Sequence, residues 1–432
     1  MGHKRMKSRH LWLAVLVFFS VCSEAQQNPT QLQSKREKKL SEKATPLTSY
    51  VILVSIDGLR NEDLTNPKLN LPTLKSLRDR GSFVLNVESV YPSQSLPAHA
   101  TILTGMFPSD HGIVSDWKFD EKTGGTSTEK YEAASDMKTD SIWQAAKRGG
   151  LKTAAINFPL VNEAELDFSS QDINSAPTWV EKNRPQLTML RFDGLANSIQ
   201  RYGLGSAEAT AALEIIDSSL KKISDAVESA GITNETTFLV VSSHGYAKVE
   251  QEFRPNVILA KKGFLTLDTA TTNWIATVRS SGGGAAVYLK DAKNEETAKE
   301  VAKVFAEIHK QESSPIWRII SQKDAAKLGA DPRAAFFLEA APGFLISEQT
   351  TGKKTTEKLN ATAGQATSGY LPSRSEMRGA LIVAGKGIKP KTQLEYARLI
   401  DLAPTIARLL GLELKASRGH VISEMLLQQN QK

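Results

Sequence analysis

The sequence predicts an α/β fold: a doubly wound, mostly parallel sheet with a smaller α+β insertion before the last core strand. Short, continuously apolar runs that end in polar turns recur along the chain, which is typical of strands buried on both faces. These runs alternate with longer helical patterns, as in a parallel sheet that helices cover on both sides. The composition agrees, because 40% of the 432 residues are hydrophobic and 23% are charged, a balance typical of globular proteins.

The predicted core elements follow one another in order along the chain. Strand-like runs fall at about 49–60, 151–159, 185–194, 236–245 and 379–387. Helical patterns fall at about 73–81, 141–150, 207–231 and 398–412. Between about 250 and 360 this alternation gives way to a half-buried strand pattern, one helix and further strands. We interpret that segment as the smaller α+β insertion.

Two N-terminal segments are expected to lie outside the fold. Residues 1–25 combine a basic start, a 13-residue apolar run and a small-x-small ending, which is typical of a signal peptide. The apolar run is shorter than the roughly 20 residues that span a bilayer. We therefore expect export to the periplasm or the extracellular space, with no transmembrane anchor after cleavage. Residues 26–48 are polar and charged, which predicts a disordered spacer, and the folded domain is expected over 49–427.

Charge and cysteine content exclude two kinds of site. Without the predicted signal peptide the chain has 50 basic and 46 acidic residues. This balance, with no basic patch interleaved with aromatic residues, gives no evidence of a nucleic-acid-binding surface. The sole cysteine, Cys22, lies in the predicted signal peptide. A disulfide framework and a thiolate metal site are therefore excluded from the predicted domain.

Polar residues at the ends of predicted strands mark the rim where parallel sheets bind ligands. Asp57 follows the first strand, Asp193 follows LTMLRF, Ser243 and His244 follow FLVV, and Gly385 follows ALIVA. The stretch YPSQSLPAHATILTG places Ser95 at the beginning of a helix. A serine there either caps the helix or faces a phosphate as a nucleophile. The residues alone leave both interpretations open.

Several motifs, taken together and in order, resemble the type I phosphodiesterase/nucleotide pyrophosphatase family of the alkaline phosphatase superfamily. They include SIDGLR, PSQSLPAHATILTGMFPSDHGI, SSHGY and GYLPSRSEMRGALIVAGKGI, and the resemblance extends over about 49–427. It implies an alkaline-phosphatase-type fold and two zinc ions held by six protein ligands. A Thr or Ser nucleophile would lie between the two metals. One metal would lower the pKa of the nucleophile, and both would neutralise charge in the transition state. Ser95 matches the nucleophile, and Asp57 and His244 match two of the ligands.

The other four ligand positions of the family pattern are lost. The family has aspartates where this chain has Ala196 and Ser243, and histidines where it has Gln200 and Ser368. Zinc sites need carboxylate and imidazole ligands in tetrahedral geometry. We therefore expect at most one weakly held divalent metal in this chain, or none.

Three further positions bear on substrate binding. Ala98 stands where eukaryotic relatives carry an asparagine that contacts the substrate phosphate, although many bacterial relatives also have a small residue there. Arg374 and Arg378, close in sequence to the lost position Ser368, are candidate electrostatic ligands of a phosphate. The alternative is that these arginines are solvated or paired at the protein surface, as most arginines are.

The sequence leaves two functional interpretations. The first is an impaired or inactive relative that keeps a cleft for a phosphate ester or nucleotide-like small molecule, with a protein or a glycan as other candidate partners. The second is an active metal-dependent phosphodiesterase or phosphatase that works through Ser95 with a reduced metal site. A purely structural exported domain has no positive feature in the sequence. The loss of four ligands favours the first interpretation.

Overall fold

The computed structural model describes residues 45–267, 272–360 and 366–428. The predicted signal peptide and most of the predicted spacer lie outside the described residues. The backbone N–H groups of Leu47 and Thr48 donate to the Leu409 carbonyl, so contacts with the fold begin slightly before the expected boundary at 49.

The strands and helices are numbered separately in chain order. The strands are β1 (Tyr50–Ile56), β2 (Ser82–Glu88), β3 (Trp117–Asp120), β4 (Gly125–Lys130), β5 (Thr153–Ile156), β6 (Phe168–Ser170), β7 (Leu187–Phe192), β8 (Thr236–Val241), β9 (Ala247–Phe253), β10 (Leu265–Leu267), β11 (Thr272–Trp274), β12 (Ala276–Ser280), β13 (Gly284–Leu289), β14 (Ile316–Ser321), β15 (Phe336–Ala340), β16 (Gly343–Ile346), β17 (Thr356–Lys358), β18 (Ala366–Thr367), β19 (Gly379–Gly385) and β20 (Thr392–Arg398). The α-helices are α1 (Asn61–Thr65), α2 (Pro72–Arg80), α3 (Ser95–Thr104), α4 (Pro108–His111), α5 (Ile142–Arg148), α6 (Ser175–Lys182), α7 (Gly194–Tyr202), α8 (Ala207–Ser229), α9 (Pro255–Lys261), α10 (Glu295–His309), α11 (Gln322–Lys327) and α12 (Leu402–Leu410).

An eight-stranded sheet in the order β20-β2-β19-β8-β1-β7-β5-β6 forms the centre of the fold. Strand β19 runs antiparallel to both of its neighbours, and the other strand pairs are parallel. The predicted mostly parallel α/β sheet is therefore confirmed. Sequence reasoning missed β2, β6 and β20, which lie towards the edges of the sheet.

Helices cover both faces of this sheet. Since successive side chains of a strand point in opposite directions, alternate residues of a central strand pack against different helices. In β1, Val51 and Leu53 join a buried cluster with α3, α5 and α12. The alternate residues Ile52 and Val54 join a second cluster with α2, α6, α7 and α8. The continuous apolar run of β1 thus serves two cores, which explains why it carries no polar alternation.

A second, antiparallel sheet in the order β12-β13-β15-β14 lies within the range where the sequence indicated an insertion. Val301 and Phe305 of α10 belong to its buried cluster. The chain then returns to the main sheet through β19. Within the described part of the chain, no helix is both long and apolar enough to cross a membrane.

Asp217 on α8 stabilises the beginning of α2. Its carboxylate accepts backbone N–H bonds from Thr73 at 3.1 Å and Leu74 at 2.8 Å, and the residue is 2% exposed. The first N–H groups of a helix lack partners within the helix. We expect Asp217→Ala to lower the free energy of unfolding by about 1.5–3 kcal/mol, because it leaves buried donors unpaired. Urea denaturation would measure this loss.

Ser218→Ala on the same helix is the matched control, because the exposed Ser218 hydroxyl donates to the Glu214 carbonyl of its own helix. Its effect is expected to stay within about 0.5 kcal/mol. Equal losses in the two variants would show that Asp217 does not stabilise α2 in this way.

Candidate functional site

The candidate site lies where the carboxyl ends of three adjacent parallel strands meet. Strand β1 pairs with β7 on one side and β8 on the other, and Ser55 is opposite both Arg191 and Val241. Asp57 follows β1, and Ser243 follows β8. The predicted rim therefore brings residues together that are far apart in the sequence.

Asp57 and the two serines are in direct contact. Ser95 Oγ donates to Asp57 Oδ2 at 2.9 Å, and Ser243 Oγ donates to Oδ1 at 2.5 Å. Asp57 is 1% exposed. The capping interpretation of Ser95 is wrong, because Ser95 is the first residue within α3 and Gln94 stands at the capping position. The Leu96 N–H at the beginning of the helix donates to Asp116 Oδ1 at 2.8 Å. The Ser95 hydroxyl instead faces the strand ends.

Arg191 completes this group, and sequence reasoning missed it. Its Nε and Nη2 donate to Asp57 Oδ2 at 3.2 and 3.0 Å. Nη2 also donates to Ser95 Oγ at 3.1 Å. A signal was present, because Arg191 is the one charged residue in the mostly apolar strand sequence LTMLRF. The guanidinium thus lies against both the carboxylate and the hydroxyl.

His99 lies beneath Ser95 and is fully buried. Its Nδ1–H donates to the Ser95 carbonyl at 2.7 Å, and its Nε2 accepts from Ser55 Oγ at 2.9 Å. Burial lowers the pKa of His99 to about 4, so the ring is uncharged at neutral pH. With Nδ1 protonated towards a carbonyl, the ring positions the start of α3 and offers no lone pair to the Ser95 hydroxyl.

The carboxylate of Asp57 stays ionised despite its burial. Burial by itself would raise the pKa of Asp57, but electrostatic interactions with His99 and Arg191 and the hydrogen bond from Ser243 hold it well below its usual value. Because His99 is neutral at pH 7, the permanent charge in contact with Asp57 is that of Arg191. A carboxylate with so low a pKa is a weak proton acceptor.

His244 follows Ser243 in a tightly fixed turn. Its Nδ1–H donates to the Gly245 carbonyl at 3.0 Å, which leaves the lone pair on Nε2. Gly245 has no space for a side chain, because an added Cβ would lie 2.0 Å from the Glu376 carbonyl oxygen. The Gly58 N–H donates to the His244 carbonyl at 3.2 Å and ties this turn to the end of β1.

The remaining lost ligand positions lie around the same site. Ala196 and Gln200 are one turn apart on α7, on the same helix face. Gln200 Nε2 donates to the hydroxyl of Tyr246 at 2.9 Å, and that ring packs against His244. Ser368 precedes Gly369, whose N–H donates to the Ser93 carbonyl at 2.8 Å, beside the nucleophile position. The assignment of these residues as former ligands stays a prediction.

The residues present do not fit the zinc ions that the family resemblance implies. Both oxygens that a metal between Asp57 and Ser95 would need are bound by Arg191 Nη2. Ser243 supplies a hydroxyl where a carboxylate is expected. Within the described ranges, no group of three or more His, Cys, Asp or Glu side chains is arranged to hold a metal ion.

The candidate phosphate contacts have other surroundings. Ala98 is buried within α3. Arg374 forms an ion pair with the buried Glu339 at 2.9 Å and lies over the rings of Trp317 and Tyr370. With Arg378 it lines a cavity of about 410 Å³ that neither Ser95 nor Asp57 lines. Phosphate binding by these arginines stays a prediction.

Comparison of the sequence with known proteins supports the resemblance. The profile of the type I phosphodiesterase/nucleotide pyrophosphatase family matches residues 51–370. Ectonucleotide pyrophosphatase/phosphodiesterase family member 1 of Homo sapiens is 27% identical over 219 residues, 46% of this chain and 24% of the relative. An uncharacterised pyrophosphatase/phosphodiesterase of Schizosaccharomyces pombe is 26% identical over 220 residues, 46% of this chain and 45% of that protein. The matched region is therefore less than half the length of these curated relatives.

Comparison of the structure leads to the same fold. Murine ectonucleotide pyrophosphatase/phosphodiesterase 5 superposes with a TM-score of 0.68 at 18% identity, covering 88% of this chain and 100% of the murine chain. The human counterpart superposes equally well, with a TM-score of 0.68 at 18% identity and the same coverage. At this identity the likeness establishes the fold alone, which is of the alkaline phosphatase type.

Proposed function

Because the chain belongs to the type I phosphodiesterase/nucleotide pyrophosphatase family, we propose that it is an exported member whose cleft binds phosphate esters without hydrolysing them. Export is inferred from the basic and apolar character of residues 1–25. Binding of a phosphate ester or nucleotide-like molecule is inferred from the family and from the retained nucleophile loop around Ser95.

The observation that carries the proposal is the state of the Ser95 hydroxyl. A serine is a weak nucleophile until a base or a metal ion takes its proton or stabilises its alkoxide. Ser95 Oγ donates to Asp57, a carboxylate whose pKa is held well below its usual value. Its other near neighbour, His99, has its Nδ1–H directed at the Ser95 carbonyl. Neither group is suited to activate the hydroxyl.

AMP is a suitable probe for the cleft. An inactive variant of murine ectonucleotide pyrophosphatase/phosphodiesterase 5 has been solved in complex with AMP. In this chain the cation beside Ser95 is the Arg191 guanidinium, which is present without a bound metal. We therefore expect AMP to bind with the same affinity in the presence and absence of EDTA, as measured by isothermal titration calorimetry.

Hydrolysis and metal content test the other half of the proposal. We expect the purified full chain to contain less than one zinc ion per molecule by elemental analysis. It should hydrolyse a nitrophenyl phosphodiester and a nitrophenyl phosphomonoester no faster than the Ser95→Ala control. Two zinc ions per chain with Ser95-dependent turnover would instead establish the alternative, an active metal-dependent phosphoesterase. Absence of AMP binding would exclude a nucleotide cleft.

A further inference from the structure

Arg191 stands out because of the strand that holds it. It is the penultimate residue of β7, which is paired on both sides by β1 and β5. Its register partner in β1 is Ser55, two residues before Asp57. The backbone is therefore fixed, and the side chain, 19% exposed, extends along the strand ends onto Asp57. This position follows from the sheet register rather than from a mobile surface side chain.

We propose that the Arg191 guanidinium is a built-in cation that has taken the place of a metal ion at Asp57 and Ser95 and excludes divalent metals from the site. The inference rests on the proposed function in one respect, namely that the native chain works without a bound metal. It adds the residue responsible and the physical means.

The geometry supports exclusion. A zinc ion lies about 2.0–2.2 Å from carboxylate oxygen ligands. Ser95 Oγ and Asp57 Oδ2 are hydrogen-bonded to each other at 2.9 Å. Arg191 Nη2 lies 3.0 Å from Asp57 Oδ2 and 3.1 Å from Ser95 Oγ, so it covers the side of this pair on which it lies. A metal bridging them would have to displace a guanidinium held by two donors to one carboxylate oxygen. Because arginine does not lose its proton in proteins, the charge is permanent.

The charge balance supports replacement. The resemblance implies three aspartates facing two divalent ions. Among those three positions, this chain keeps the carboxylate of Asp57 alone and faces it with one guanidinium. A buried carboxylate without a partner is strongly unfavourable. A monovalent, covalently attached cation therefore suits a site that keeps one of its three ligand carboxylates, and Ser243 donates to Asp57 where a second carboxylate ligand would repel it. Asp116 and Asp193 add further negative charge near the guanidinium.

Zinc titration of paired variants tests the inference. Ser243→Asp restores a third ligand beside Asp57 and His244. We expect this variant to bind zinc no more tightly than the native chain, since the Arg191 guanidinium still binds Asp57 Oδ2 and Ser95 Oγ. Adding Arg191→Met should raise zinc affinity at least about tenfold, the scale on which even outer-shell changes act on metal sites. Isothermal titration calorimetry measures both affinities without reference to activity.

Three companion variants make the result specific. Each also carries Ser243→Asp. Arg191→Gln is a second neutral change, used if Arg191→Met reduces folding as judged by circular dichroism, and it should also raise zinc affinity. Arg191→Lys keeps the charge and should leave zinc binding weak. Arg201→Gln removes an arginine that lies over the ring of Tyr202 on α7, and it should leave zinc affinity unchanged.

Tight zinc binding by Ser243→Asp alone would overturn the inference, because the guanidinium would then not exclude the metal. Folded neutral variants at position 191 that still bind zinc weakly would overturn it too. Neither outcome bears on whether the native chain hydrolyses phosphate esters. The inference and the proposed function therefore fail through different measurements.

Discussion

A quintuple variant that restores the missing ligands and removes the guanidinium is expected to bind two zinc ions and to hydrolyse a nitrophenyl phosphodiester. Its changes are Ala196→Asp, Gln200→His, Ser243→Asp, Ser368→His and Arg191→Met. The four ligand changes without Arg191→Met are expected to give much weaker binding and little turnover. This difference is the largest change in activity that we expect in this chain.

The reason is that the ligand changes alone do not clear the space for a metal beside Ser95. Arg191 Nη2 would still bind both Asp57 Oδ2 and Ser95 Oγ. A metal at this position contributes several kcal/mol of charge stabilisation in the transition state, and each 1.4 kcal/mol is a tenfold change in rate. We therefore expect kcat/KM of the quintuple variant to exceed that of the quadruple variant by at least about 10²-fold.

Adding Ser95→Ala to the quintuple variant is the control, and it should abolish the new turnover. Initial rates with the phosphodiester, measured with and without EDTA, and elemental zinc analysis check both expectations. Equal turnover of the quadruple and quintuple variants would contradict a blocking role for Arg191. If the quintuple variant bound two zinc ions without Ser95-dependent turnover, Ser95 would not be the nucleophile position.

The central strands were predictable from the sequence because their burial is written into it. The run from Tyr50 to Ile56 is apolar except at its start and at Ser55, since β1 is covered on both faces. The edge strands carry no such run. In TQLEYAR, the sequence of β20, most side chains are partly or fully exposed, and pairing with β2 alone makes it a strand. Such a strand is defined by its partner, which a local pattern does not contain.

The candidate site was predictable in part for a related reason. The rule that ligands bind beyond the carboxyl ends of parallel strands places Asp57 and Ser243 together without knowledge of the register. Arg191 could not be placed in the same way. Its contact with Asp57 depends on β7 lying next to β1 with Ser55 opposite Arg191. A charged residue within an apolar strand was visible, but its partner was not.

Breaking either side of the pair formed by Asp57 and Arg191 is expected to destabilise the native chain strongly. Asp57→Asn leaves the guanidinium charge partly buried without its partner, and Arg191→Met leaves the buried carboxylate with hydroxyl donors alone. Each change should lower the free energy of unfolding by about 3–5 kcal/mol, the range for breaking one side of a buried ion pair. The double variant should lose less than the sum of the two, with a coupling energy of about 1–3 kcal/mol.

Urea denaturation of the four proteins of this cycle, at one pH and in the presence of EDTA, measures the coupling. The matched control is the cycle of Lys221 and Asp225, an exposed ion pair four residues apart on α8. Exposed helical pairs of that spacing contribute about 0.3–0.5 kcal/mol. A coupling between Asp57 and Arg191 no larger than that of the surface pair would mean that the guanidinium only rests against the site. A larger coupling would mean that the native fold depends on a permanent cation at Asp57, as a protein that has replaced its metal would.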